Sequence, residues 1–407
     1  MWRETVILSL AVLGTIGLGC SSRTDNKSTQ QFDCGIPVDR FKELMIVDDG
    51  VITDARSRNA TNGPWSFRHA IEATMADGAS QSDFILSWFD DWATTTQVNG
   101  FQTDVEPRAA QIKARLVCPW LLQTPANGCD PSCTQCASRE LDLAKAPFRL
   151  VAIVNRTDLR KRPDATSPAG EARLIFAMTR GPADDPSSAV APMTVIFEYA
   201  LPDIRTPKGW VDAWHHLSTH NAFDENYNSE LESLTEQFVA RGASPSRTNG
   251  SALSQVRTNE SEFNWIWQLR EFRLTSAGDM RLAPVSNTPG ESLNKSDVLR
   301  DFVMQNQDKI LNDQGVLPTS LRAGSADQFR FRWDIPGIDE QTRSAFARAT
   351  CNGCHSGENP PIDVAFHVSP FKSGVQKLSP FVNNPQDPSS DELARRENLM
   401  KELLCQK

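Results

Sequence analysis

Three short apolar runs constrain this chain more than any other feature. FRLVAIV at 148–154, ARLIFAM at 172–178 and MTVIFEY at 193–199 are rich in β-branched and aromatic residues. Turn-forming Pro, Asp, Ser and Gly residues separate them, and no helix-length apolar pattern lies between. A parallel pair would need a crossover of a dozen or more residues, usually helical, so the runs are expected to be neighbouring antiparallel strands.

Helical periodicity flanks these runs. Residues 65–76 and 83–92 place apolar side chains at helical spacing, the second through Phe84, Ile85, Trp88, Phe89 and Trp92. Helices are expected again at 210–217 and 227–240, and a hairpin at 263–274 and 280–285, turned at 276–279. The expected class is therefore α+β, with helices around a mainly antiparallel sheet. With 407 residues, 39% hydrophobic and 23% charged, the chain has ample material for a large core. A net charge of -9 and the lack of a dense Lys/Arg run argue against a nucleic-acid partner.

The N-terminus is expected to be an export signal (1–19) rather than part of the fold. Arg3 precedes a charge-free apolar run at 5–18, too short to span a bilayer comfortably and suited to a signal-peptide core. The run ends in Gly17-Leu18-Gly19-Cys20, which resembles the bacterial lipobox, although Gly17 stands where an aliphatic residue is usual. That resemblance implies lipidation of Cys20, a polar tether within 20–35, and, with Ser21 following, an outer-membrane lipoprotein facing the periplasm or the cell surface. A plain secretory signal cleaved nearby is the alternative.

Export changes how the cysteines read. Nine are present: Cys20, Cys34, Cys118, Cys129, Cys133, Cys136, Cys351, Cys354 and Cys405. In an oxidising compartment, six would remain for three disulfides once Cys20 takes a lipid and Cys351 and Cys354 are set aside. A disulfide is expected within the loop that holds Cys118, Cys129, Cys133 and Cys136.

Cys351 and Cys354 open a CxxCH motif, Cys351-Asn352-Gly353-Cys354-His355. Two thiols three residues apart can each form a thioether to a haem vinyl group, and the adjacent His355 can ligate the iron. Pro336-Gly337 breaks the chain ahead of the motif, and Asp339 can cap a helix to about residue 349. Ser389 and Glu392 have capping-box spacing ahead of a last helix to 404. The C-terminal part, 331–407, therefore reads as a short helical cytochrome c-like segment following an α+β body at 36–330. A short disulfide, or zinc shared with Cys133 and Cys136, are the other readings of the two thiols. For the distal side of an iron, His367 is the leading candidate, with Met400 or an open position as alternatives.

Other candidates carry less. His216 and His220 share a helical face and could hold a metal, although Leu217 stands where a zinc protease would have Glu. Arg156 and Asp158 end a strand and read first as an internal ion pair or turn, second as a ligand site. Glu171 and Glu198 could form a carboxylate pair, but the sequence sets no separation between them.

Several strings are similar to a group of bacterial exported lipoproteins with a C-terminal CxxCH segment. They are FRLVAIVNRTDLR, GEARLIFA, TVIFEYALP, NGSALSQVRTNE, WQLREFRL and TCNGCHSGE with FHVSP and LSPF after it. The resemblance spreads from about residue 65 to the end and covers most of the mature chain. The resemblance implies an exported architecture with a cytochrome c-like tail, and nothing about a substrate. The leading expectation is one covalent haem c transferring electrons to a redox partner whose identity the sequence does not give. The alternatives are a haem-dependent peroxidase or oxidase and a haem-free, disulfide-stapled surface binding protein.

Cys20→Ala should release the protein from membranes or block its maturation. Fractionation and the N-terminal mass test this; unchanged membrane association with unchanged mass refutes it.

Overall fold

The computed structural model describes residues 34–103, 108–121, 140–264, 266–327, 333–357, 366–387 and 391–406. Ten strands appear among them: β1 Met45–Ile46, β2 Gln97–Val98, β3 Phe101–Gln102, β4 Phe148–Arg156, β5 Glu171–Thr179, β6 Val190–Ala200, β7 Leu253–Glu260, β8 Gln268–Leu274, β9 Met280–Ala283 and β10 Ala326–Asp327. β2 and β3 form a separate hairpin. The other eight make one antiparallel sheet in the order β1-β4-β5-β6-β7-β8-β10, with β9 also on β8. The chain is α+β, with helices and a large, mainly antiparallel sheet.

The three apolar runs are the adjacent central strands β4, β5 and β6, each a residue or more longer than its apolar stretch. β7, which completes the centre of the sheet, gave no strand signal. Its LSQVRTNE holds only two apolar residues, because its outward side chains pair with charges instead of packing against a core. The hairpin expected from 263 starts only at Gln268.

The sheet has two unlike faces. Phe176, Phe197 and Tyr199 on one face meet side chains from the helices Phe67–Glu72 and Glu225–Val239. Phe67 sits at the middle of this core, stacked 4.3 Å from Phe148 and edge-on to Trp120, Phe176 and Phe197. The helix Gln81–Thr94, capped by Ser80, adds Trp88 and Trp92 against Phe272. Its apolar period is the one the sequence displays.

The opposite face carries a ladder of charge. In register across the strands, Arg156 faces Glu171, Arg173 faces Glu198, and Arg257 faces Glu271. Arg173 reaches both Glu171 and Glu198, and Arg257 reaches both Glu198 and Glu271. Glu198 and Glu271 are completely buried. Buried charges of this kind require partners, and the alternation supplies them.

The C-terminal part of the chain shares the main core. Val368, Leu378, Val382, Leu393, Met400, Leu403 and Leu404 all belong to it. The last helix, Glu392–Leu404, is capped by Asp391, whose carboxylate accepts from Ala394 N; Ser389 lies outside the described residues. Arg40 in the first helix donates to both Asp391 and Glu397, and a Cys34–Cys405 disulfide joins the two ends. Among the described residues no helix is long and apolar enough to cross a membrane. Cys20 and the cysteines at 129, 133 and 136 lie outside them.

Phe67→Ala should lower unfolding stability by about 3–5 kcal/mol, since it empties the centre of the aromatic cluster. Ile204→Ala, at a 60% exposed position, should stay within about 0.5 kcal/mol of the parent. Denaturant midpoints at constant slope measure both; equal effects would contradict the placement of the core.

Candidate functional site

The CxxCH motif lies immediately beyond a helix that the sequence specifies well. Asp339 caps Glu340–Arg348 by accepting from Thr342 N. Thr350 then organises the turn. Its hydroxyl donates to Ala347 O at 2.6 Å and accepts from Gly353 N and from the buried Trp333 indole N–H. Asn352 Oδ1 accepts from the same indole. Residues 353–357 continue as one wide helical turn. Gly353 is required here, because a Cβ would lie 2.1 Å from the Ala347 carbonyl oxygen. Cys351 N donates to Thr288 Oγ1, fixing the motif to the segment after β9.

This places the motif over the charged face of the sheet. Cys351 packs against Trp267, Leu269, Val285 and Ala326, and is close enough to Arg257 and Glu271 to feel both charges. His355 is buried, with its ring stacked on Trp267 at 4.3 Å and tilted against His367 at 4.1 Å. His367 lies tilted against Phe381 in turn, and its Nδ1 is 3.3 Å from Ser379 Oγ. Its Nε2 is 3.3 Å from Cys354 Sγ.

Burial disfavours the charged forms of the two thiols and of His367. Burial pushes the Cys354 thiol up to about 12, and the neighbouring Cys351 adds to this. Burial also raises Cys351, with Arg257 opposing in part. Burial, reinforced by His355, holds His367 well below the usual histidine range. A thiol–disulfide enzyme needs the reverse, a thiol whose ionisation is made easier.

The donor set can be tested against a covalent haem. Cys351 and Cys354 both carry thiols, whereas Cys34, Cys118 and Cys405 are disulfide-bonded. Two neighbouring thiols followed by an imidazole, in a dry and partly aromatic setting, fit thioether attachment and proximal ligation. His367 does not fit the position opposite His355 as it stands. Imidazoles on both faces of one iron, each with a bond of about 2.0 Å, need ring centres roughly 6 Å apart. Met400 is buried in the main core. Among the described residues, no group of three or more His, Cys, Asp or Glu is arranged to hold a bare metal ion.

The remaining sequence candidates each meet an oppositely charged or hydrogen-bonding side chain. Arg156 grips Asp158 through two hydrogen bonds of 2.9 and 3.0 Å. Glu171 and Glu198 share Arg173. Burial alone would raise Glu198, but the Arg173 and Arg257 charges override it and hold this carboxylate below the usual range. His216 and His220 converge on the carboxylate of Glu230. His215 meets the fully buried Glu43 at 2.9 Å, where burial raises the acid to about 7.

Two residues beside the motif escaped the sequence reading. Trp267 lies in an irregular stretch and has no pattern that marks it. Arg396 did leave a trace: it falls on the apolar stripe of the last helix, three residues after Leu393 and four before Met400.

No protein-family model, no curated protein and no solved structure matches this chain.

Glu43 yields a pH prediction. Its folded value of about 7 lies above the unfolded carboxylate value of about 4.5, so ionisation favours the unfolded chain. Its contribution to stability is complete at low pH and is lost as pH rises from about 4.5 to about 7. The stability difference between the parent and Glu43→Gln, followed by denaturant titration, should change across that window. A difference independent of pH refutes it.

Proposed function

We propose that this protein is an envelope-anchored c-type haem protein that transfers electrons, held to the membrane through Cys20. The observation that carries the reading is the state of the cysteines. The CxxCH pair retains thiols in a chain whose other described cysteines are disulfide-bonded. Cys351 and Cys354 would hold the haem through thioethers and His355 would ligate its iron. When bound, the group supplies a one-electron couple between ferric and ferrous iron.

The chain's own residues define what surrounds that couple. Trp267 orients His355 and keeps water from one side of its ring. Thr350, Asn352 and Gly353 hold the turn so that both thiols stay on one short segment. The buried ladder of arginine and glutamate beneath Cys351 sets a fixed field at the site, which tunes the stability of the charged states.

A second reading is favoured by the packing of His367. Because its ring lies against His355 and its Nε2 points to Cys354, the sixth position of the iron would be open until His367 moves. An open position suits binding of a small ligand and peroxidase or oxidase chemistry.

The test is production of the full chain with a haem c maturation system. Haem should stay with the polypeptide on a denaturing gel, and Cys351→Ala with Cys354→Ala should abolish that stain. His355→Ala should shift the Soret band. A six-coordinate spectrum altered by His367→Ala assigns the distal ligand to His367; an unaltered five-coordinate spectrum supports the second reading. A colourless wild-type protein refutes haem attachment and leaves a disulfide-stabilised binding protein.

A further inference from the structure

Beside Cys354 and His367 the last helix meets the end of β4, and the charges there do not balance. Three guanidinium groups, Arg156, Arg395 and Arg396, surround two carboxylates, Asp158 and Glu392. Arg156 takes both oxygens of Asp158. Arg395 takes both oxygens of Glu392 at 2.7 Å each and adds a bond to Asp158 at 3.1 Å. Arg396 receives only a share of Glu392, through Nε at 3.0 Å. Asp313 also attracts Arg395.

Arg396 is the member left short. Its side chain is 7% exposed, and its Nη1 is buried with no hydrogen-bond partner. Burial, with Arg156 as a like-charged neighbour, lowers its ionisation to about 10. A buried guanidinium without full compensation is costly, and native proteins normally satisfy such groups. Its field reaches both Cys354 and His367. The position is therefore set for an anion that arrives with whatever occupies the CxxCH motif.

We propose that Arg396, backed by Arg156, is the seat for a propionate carboxylate of the haem attached at Cys351 and Cys354. This rests on the haem reading above. A carboxylate at Nη1 would give Arg396 its missing partner. Arg–carboxylate pairing is charge-assisted and strongest where water is excluded. The same pair would fix the far edge of the porphyrin, so the haem would be held at its vinyl side by two thioethers and at its propionate side by Arg396.

The experiment compares Arg396→Met and Arg396→Lys with the parent, each made with and without the haem c maturation system. Arg300→Met, at a partly exposed position paired with Asp297 and Asp301, serves as the control for net charge. In haem-free protein Arg396→Met removes an uncompensated charge and should raise the melting temperature by roughly 2 °C. In haem-loaded protein it strands the propionate and should lower the melting temperature. It should also lower the reduced-to-oxidised ratio at a fixed applied potential by roughly tenfold, since a nearby cation favours the reduced iron. Arg396→Lys should retain most of the loaded protein's stability and potential, and Arg300→Met should change neither.

Covalently loaded Arg396→Met with an unchanged potential and the same sign of stability change as the haem-free form overturns the proposal while leaving the haem reading intact. Stabilisation of haem-free parent by acetate, lost in Arg396→Met and without any potential effect in loaded protein, assigns the seat to a free anion and also overturns it. A parent that takes up no covalent haem removes both readings together.

Discussion

The buried ladder of alternating charge on the sheet's second face governs the rest of the structure. An ordinary antiparallel sheet in a protein of this kind turns one face to the core and the other to water. Here the second face is covered, yet it carries Glu198 and Glu271 at zero exposure with Arg173 and Arg257 between them. Removing one partner from such a network leaves a stranded charge at a cost of about 3–5 kcal/mol. The network also fixes pairing. A slip of one residue would turn these side chains to the aromatic face, so the ladder and the core specify the same register.

That face is also what the CxxCH motif rests on. The motif could have been held by an apolar floor; it is held instead by a surface with fixed, paired charges and a small apolar patch around Cys351. Charges locked in ion pairs contribute a field that does not reorganise when a neighbouring group changes its charge. Burial makes both thiols harder to ionise and His367 harder to protonate.

Much of the fold was legible because its signals are local. β4, β5 and β6 announce themselves through β-branched residues bounded by turns, and the helix Gln81–Thr94 through Phe84, Trp88 and Trp92 at helical spacing. β7 was not legible, because a strand whose outward side chains pair with charges loses the apolar signature. The motif and Asp339 could be read directly, since cap and ligand spacing are short-range. Trp267 and Thr288 could not, because each reaches the site through the packing of distant segments, and no spacing in the sequence records that. Arg396 was readable in principle as a cation on an apolar stripe, a conflict between pattern and residue that marks places where something other than packing sets the choice.

The Cys34–Cys405 bond closes nearly the whole folded chain into one covalent ring, spanning a sequence separation of 371 residues. Within that ring a single proteolytic cut, at any surface turn, produces no separate fragments. Both pieces stay tied through the disulfide, and Arg40 with Asp391 and Glu397 keeps the junction aligned. Tension applied through residues ahead of Cys34 passes straight across the bond to the last helix instead of unzipping strands one at a time. The sheet and the motif above it are thus mechanically bypassed, and their integrity is separated from whatever pulls on the N-terminal end.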